Sequence, residues 1–418
     1  MKLSAFGEKL TRGSGIVELM EDLGSALNEN PDMIFMGGGN PARIPEMEAI
    51  FHAQYKQLSD KTEQLYSTTG VYQSPQGELG FRRHIAAMLN DQYDWPVSEA
   101  NIAISNGSQS AFYLLFNLLA GQMSDGSFKS IHLPLTPEYI GYNDLGLSEK
   151  FFTASKPEIE LIGDHQFKYH VNFDELSVGE NTAAFCVSRP TNPTANVLTD
   201  NEISHLDQIA RESDIPLIID GAYGVPFPNI NFVDVSPHWN SNTILVLSLS
   251  KLGLPGVRTG IVVANESIIQ AFSSANTVIN LASGNIGPSL TDNLFATGEI
   301  VKLSNQYVQP FYKQRSQQVM AQFQQQMGDI PCRIHLSEGA IFLWLWFERL
   351  PITSEELYQR LKKRGVLVVS GHHFFAGIDY QWPHQHQCIR VSYVQDPSAI
   401  EQGIKIIAEE ASIAYQQG

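Results

Sequence analysis

The stretch SLSKLGLPGVRTG, residues 248–260, places Lys251 just after Ser248 and Ser250 and before a glycine-rich turn, with Arg258 seven residues further on. The apolar run TILVL ahead of it has the length and composition of a buried strand, so the lysine stands where a strand ends. There is an ordinary reading: a lysine at a strand exit snorkels to water, and glycine and proline punctuate the turn. There is also a chemical one, because a deprotonated ε-amine forms a Schiff base with an aldehyde, and a neighbouring cation favours the deprotonated form. Three more strand ends carry polar groups. NIAIS runs into NGSQS, AAFCVS runs into RPTNPTAN, and IPLIID ends on Asp220 followed by GAYG. Each alone is a cap or a turn; four at once point to a ligand.

The elements that must position these residues alternate along the middle of the chain. Strands are predicted at 101–105, 130–135, 183–188, 215–220, 243–248 and 259–264, with helical stretches between several of them, such as SQSAFYLLFNLLA and TDNEISHLDQIARES. Strands alternating with helices imply an α/β fold, a largely parallel sheet with helices on both faces. The near-continuous Val/Ile/Leu runs fit strands covered on both sides. In such a sheet ligands bind beyond the carboxyl ends of the strands, where the polar residues gather. After about residue 300 the order changes: a long helical stretch at 306–327, then IFLWLWF, the helix TSEELYQRLKKRG, VLVVS, QCIRVSY and a final helix. This predicts a large domain over 46–305, a smaller α+β domain over 306–418, and a segment 1–45 packed on or beside the smaller one.

The gathered chemistry describes one cofactor. Backbone N–H groups opening the Ser108 helix, serine hydroxyls and Arg258 make a dianion site. Lys251 takes an aldehyde, Asp220 holds a pyridine nitrogen protonated, and Tyr223 and Asn192 reach a phenolate oxygen. Phosphate, aldehyde, pyridinium and phenolate are the parts of pyridoxal 5′-phosphate.

With these motifs in order, the sequence resembles the class I and II aminotransferases, of the fold type I group of pyridoxal phosphate enzymes. NGSQS resembles their phosphate-cup turn, RPTNPTAN their Asn-Pro-Thr-Gly turn, DGAYG their Asp-x-x-Tyr motif, and SLSKLGLPGVRTG their lysine motif; GGGNPARIPE, LPLTPEYIGY and CIRVSY also fit. The resemblance covers nearly the whole chain. It implies that Ser108 and Gln109 lie in the phosphate cup and that Tyr139 stacks on the ring. It further implies that Asn192 and Tyr223 hold the ring oxygen, Asp220 the ring nitrogen, and Ser248, Ser250 and Arg258 the phosphate. Lys251 would be both anchor and general base. Tyr72 would reach the phosphate from a neighbouring subunit of a homodimer, and Arg390 and Asn192, with backbone near Gly39, would bind the substrate α-carboxylate. The implied reaction passes an amine between amino acids and 2-oxo acids. The finer likeness, in MGGGNPARIPEM, PLTPEYIGY, EGAIFLWLWF and the HQC segment before Arg390, implies L-valine and pyruvate. Two departures stand out. Arg258 follows Lys251 by seven residues where most of the family has eight, and Ala195 replaces the glycine of the Asn-Pro-Thr-Gly turn, although alanine tolerates positive φ less well.

Composition narrows the classes. A net charge of −17 argues against a nucleic-acid partner, and no window is apolar for long enough to span a bilayer. The first residues lack a signal-peptide core, so a cytoplasmic location is expected. The three cysteines, Cys186, Cys332 and Cys388, are widely spaced and read as reduced thiols. His372, His373, His384 and His386 near Cys388 lack the spaced pairs of a structural zinc site, and no metal is expected. Two alternatives to a transaminase remain at this level: a β-elimination lyase on the same fold, and a non-catalytic cofactor-binding regulator.

Overall fold

The computed structural model describes residues 2–11, 15–378 and 382–417; of residues 15–20 it gives only the backbone. Its principal sheet has eight strands. Starting from Ile102–Ser105, the order is Gly260–Val263, Thr243–Ser248, Leu217–Asp220, Thr182–Ser188, Phe128–Leu133 and Gly121–Gln122, with Phe152–Ala154 pairing beside Phe128–Leu133. Thr243–Ser248, Leu217–Asp220, Thr182–Ser188, Phe128–Leu133 and Phe152–Ala154 pair in parallel, while Gly260–Val263 runs antiparallel to both neighbours. The six strands predicted from apolar runs are all present. Five of them, beginning at Ile102, Thr182, Leu217, Thr243 and Gly260, are buried at every residue, as covering on both faces requires.

The helices dock by ordinary amphipathic logic. Asp200–Glu212 starts with a capping box, in which Glu202 N donates to Thr199 Oγ1 (3.1 Å) and Thr199 N donates to Glu202 Oε2 (2.8 Å). It buries Ile203, Leu206, Asp207 and Ala210, which share one face. The stretch expected to be one helix over 306–327 divides into a π-type segment Ser304–Val308 and the helix Gln309–Met327. Pro310 is the cause, since it offers no N–H to the preceding turn.

A second sheet of six strands runs Val369–Ser370, Cys388–Ser392, Phe342–Phe347, Cys332–His335, Gln166–His170 and Glu158–Ile162. The hairpin 158–170 thus leaves the sequence interval of the principal sheet to extend the second one. The run VLVVS divides at Val368: Val366–Leu367 pairs in parallel with Ile34–Phe35, and Val369–Ser370 joins the second sheet beside Arg390. The first pairing ties the start of the chain to its C-terminal part, reinforced by Asp22, which accepts from Lys362 Nζ (2.5 Å) and from Tyr358 Oη. No helix among the described residues is long and apolar enough to cross a membrane.

Candidate active site

A cavity of about 630 Å³ opens at the carboxyl ends of the principal strands, bounded on its far side by the second sheet. That volume suits a cofactor together with a small substrate. Of the residues singled out from sequence, Gly39, Ser108, Gln109, Tyr139, Asn192, Asp220, Tyr223, Ser248, Ser250, Lys251, Arg258 and Arg390 all line it. Tyr72 does not: it is 82% exposed on the outer surface.

One end of the cavity is an anion cradle. The helix Ser108–Leu119 begins after Gly107, which offers no side-chain cap, so its first N–H groups remain free to bind an anion. Gly107 has φ +88°, and a Cβ on it would lie 2.2 Å from Arg258 Nη2. Only glycine serves there, and it lets the guanidinium lie against the helix start. Ser248 Oγ, which accepts from Ser250 N (3.1 Å), completes the rim. The shortened spacing before Arg258 is absorbed by a tight turn, Pro255–Val257, that ends with Arg258 itself at φ 48°.

At the floor, Asp220 closes its strand and is fully enclosed. Its Oδ1 accepts from Ala222 N (2.9 Å) and its Oδ2 from Tyr142 Oη (2.7 Å). Burial pushes its pKa up, against those hydrogen bonds and the charge of Lys251. Lys251 Nζ donates to Gly39 O and lies 5.3 Å from the Tyr223 ring centre. Burial and the positive charges of Arg390 and Arg258 push its pKa down to about 8, against Asp220. Roughly a tenth of the amine is then free at pH 7, the state in which it attacks an aldehyde.

Opposite the cradle, Arg390 comes from the middle of the second sheet. Nη1 donates to Asn192 Oδ1 (2.8 Å) and Nη2 to Gly37 O (2.8 Å). Its guanidinium carbon lies 4.1 Å from the ring centre of Phe342 and 5.0 Å from that of Phe374. Burial pushes its pKa down to about 10. Among the described residues it joins no ion pair, and Nε has no hydrogen-bond partner. The Asn192 turn is held from outside. Ala195, at φ +63°, passes its carbonyl to Glu338 N (3.1 Å), and the buried pair Lys168–Glu338 (2.6 Å) grips Val197 through both its N–H and its carbonyl. That support lets alanine stand where the resemblance expects glycine.

The donor set fits pyridoxal phosphate: a cradle for a dianion that a Cβ at residue 107 would fill, a lysine with a weakened hold on its proton, and an enclosed carboxyl. Sequence reading missed Tyr142, although it lies three residues after Tyr139, because nothing local pairs it with Asp220. It also missed the apolar wall formed by Leu23, Leu27, Phe35 and Ile140; the helix Gly15–Glu29 carries the first two. Away from the cavity, Glu355, His372 and His373 bring possible ligand atoms within 4.8 Å of one another.

The family model for aminotransferase class I and II matches residues 164–407. The valine–pyruvate aminotransferase of Escherichia coli (strain K12) is 51% identical over the full length of both chains. Among solved structures, a putative amino-acid aminotransferase from Psychrobacter arcticum superposes with a TM-score of 0.97 at 44% identity, covering 100% of each chain. The valine–pyruvate aminotransferase of Salmonella typhimurium LT2 gives 0.89 at 47% identity, covering 96% of this chain and 100% of that one. With its lysine, carboxyl and anion cradle around one cavity, this chain belongs to the class I and II aminotransferases, enzymes that transfer amino groups with pyridoxal phosphate.

Proposed function

We propose that the chain transfers the amino group of L-valine to pyruvate, giving 3-methyl-2-oxobutanoate and L-alanine. The observation that carries the assignment of the substrate end is Arg390, a buried cation facing the cavity with no carboxylate of its own among the described residues. A buried charge needs a partner, and the planar fork fits a carboxylate through two parallel hydrogen bonds. Every amino acid and 2-oxo acid brings that group. The apolar wall of Leu23, Leu27, Phe35 and Ile140 suits a branched aliphatic side chain, and the 51% identical relative bears valine and pyruvate in its name.

When bound, pyridoxal phosphate supplies an aldehyde for the amine and a ring that draws electrons from the substrate Cα. In this reading Ser108, Gln109, Ser248, Ser250 and Arg258 hold its phosphate, Tyr139 covers the ring and Asp220 keeps the ring nitrogen protonated. Asn192 Oδ1 accepts from Arg390, which leaves the Asn192 Nδ2 hydrogens and the Tyr223 hydroxyl to hold the ring oxygen. Lys251 anchors the aldehyde between turnovers and moves the proton at Cα. The carbonyl of Gly39 steadies the ammonium form, and the neighbouring carbonyl of Gly37 orients Arg390.

The same reading makes the enzyme a cytoplasmic homodimer. Tyr66, Val71, Tyr72, Val278, Ile279 and Leu281 are exposed apolar residues on segments that touch: Asn276 Nδ2 donates to Pro75 O (3.2 Å) and Thr68 Oγ1 to Ser289 Oγ (2.9 Å). Gly284 N donates to Asn106 Oδ1 (2.9 Å), so this face borders the cradle at Gly107, where a partner's Tyr72 would arrive. The test of function is rapid mixing of the holoenzyme with single amino acids while the visible band of the bound cofactor is followed. L-valine and L-alanine should discharge it without release of ammonia, at least about tenfold faster than L-aspartate. Release of ammonia, or a preference for the dicarboxylic donor, would overturn the proposal; an active monomer in sedimentation would overturn the dimer.

A further inference from the structure

Glu138 immediately precedes Tyr139, and its side chain is enclosed, the residue being 1% exposed. Its Oε1 accepts from Ser188 N (2.8 Å), and its Oε2 accepts from Tyr139 N (3.2 Å) and shares a hydrogen with Ser188 Oγ. Glu138 N donates to the carbonyl of Phe374, whose ring flanks Arg390. Ser188 ends the strand Thr182–Ser188, lines the cavity and lies in register beside Asp220. None of the roles above uses this carboxyl.

The groups facing it come from four elements. Asp220 lies on the adjacent strand; Cys186 and Tyr142 are nearby, both kept protonated by burial; Ser188 and the Phe374 carbonyl complete the set. Among the described residues no lysine, arginine or histidine pairs with Glu138. Two enclosed carboxyls with no cation between them do not both ionise readily. Asp220 has the better claim to the negative charge, since the Tyr142 hydroxyl, the Ala222 N–H and the charge of Lys251 all favour it.

We infer that Glu138 is a positioning residue that works as an uncharged acid, giving its own hydrogen to Ser188 Oγ and so fastening Tyr139 to the strand end while freeing the Ser188 hydroxyl to donate into the cavity. A serine hydroxyl has one hydrogen and can also accept one. If Glu138 is ionised, Ser188 must spend its hydrogen on the carboxylate. If Glu138 is protonated, Ser188 accepts from it and turns its own hydrogen to the cavity it lines. Burial, with Asp220 adding to it, pushes the Glu138 pKa up to about 8, against the hydrogen bonds from Ser188 and Tyr139. The inference rests on the cofactor roles proposed for Tyr139 and Asp220, but the charge state of Glu138 does not.

The test compares wild type with Glu138→Gln and Glu138→Ala as holoenzymes. A glutamine can give an amide hydrogen to Ser188 Oγ and accept from Ser188 N, as the uncharged acid does, and gives up only the long contact from Tyr139 N (3.2 Å), which an amide nitrogen cannot accept. At pH 7 the glutamine variant should keep kcat within about threefold, while alanine should lose at least about tenfold. The wild-type kcat should fall as pH rises through about 8, and the fall should be absent or displaced upward in Glu138→Gln. Lys251 titrates in the same range but is common to both, so the difference between the profiles belongs to residue 138.

Thermal midpoints give a readout without turnover. The folded chain keeps a proton on Glu138 that the unfolded chain releases above 4.5, so wild-type stability falls between there and about pH 8. The midpoint of Glu138→Gln minus that of wild type should therefore grow from about pH 5 to about pH 8. A flat difference, or a loss of tenfold or more in Glu138→Gln with its midpoint intact, overturns the uncharged acid. A growing difference beside coincident activity profiles overturns its coupling to the reaction through Ser188.

Discussion

Replacing Arg390 by lysine keeps a positive charge at the substrate end of the cavity and removes the fork. In the structure Nη1 and Nη2 are each bound on one side, to Asn192 Oδ1 and Gly37 O, both at 2.8 Å, and the guanidinium plane lies between Phe342 and Phe374. A carboxylate meeting that plane gains two parallel charge-assisted bonds; a lysine ammonium offers one point contact. The difference is about one such bond, roughly 1.5–3 kcal/mol, or about 10- to 150-fold in kcat/KM. Because proton movement at Cα needs alignment with Lys251, part of the loss should fall on kcat rather than on KM alone. Gly37 O and Asn192 Oδ1 each lose a donor as well, so some stability goes, about 1–3 kcal/mol. The assay is the single-turnover rate of the valine and pyruvate half-reactions, normalised to bound cofactor, with the thermal midpoint measured on the same sample. Loss in both half-reactions, equal for every donor and acceptor, is expected. A lowered midpoint beside kcat/KM within about threefold of wild type in both half-reactions would refute the reasoning and leave Arg390 a strand residue of the second sheet.

Borohydride treatment of the holoenzyme should fix a pyridoxyl label on Lys251, read by peptide mapping, and Lys251→Ala should abolish turnover while still binding the cofactor; a label on another lysine would sink the assignment. Lys168→Met leaves Glu338 buried and unpaired, its side chain being 11% exposed, and should cost about 3–5 kcal/mol in denaturant unfolding. Lys168→Met with Glu338→Leu should recover a large part of that stability but still weaken carboxylate binding through the loosened Asn192 turn. Glu202 is a pH case. Burial works against its charge, yet His170, Thr199 and the Val171 N–H outweigh it and hold its pKa at about 2. Its contribution is therefore present above the ordinary 4.5 and is lost as pH falls toward 2. Chemical denaturation of Glu202→Gln should show a deficit at neutral pH that narrows through that window.

The six strands of the principal sheet were legible because a strand covered on both faces must be apolar along its length, and polar residues appear where it leaves the sheet. Asp220 and Lys251 stand out for that reason. The hairpin 158–170 was not legible, since Glu158–Ile162 is an edge strand buried at none of its five residues and carries no apolar run. Tyr142 and Lys168 were missed for another reason: each is ordinary in its own segment and gains its meaning from a partner, Asp220 or Glu338, that is 78 or 170 residues away.

The sequence by itself determined which groups are available and in what order, because a lysine, an aspartate and a glycine that can sit at φ +88° are properties of single residues and their neighbours. Only the tertiary structure decided what state those groups are in. Lys251 is pushed toward its free amine by burial and by Arg390 and Arg258, burial pushes the Asp220 pKa up while the Tyr142 hydroxyl holds it back toward the carboxylate, and Glu138 is driven toward its neutral acid by burial, with the Asp220 carboxyl adding to it. Desolvation and Coulomb energy depend on distance and on excluded water, and neither exists until strands remote in the chain lie side by side.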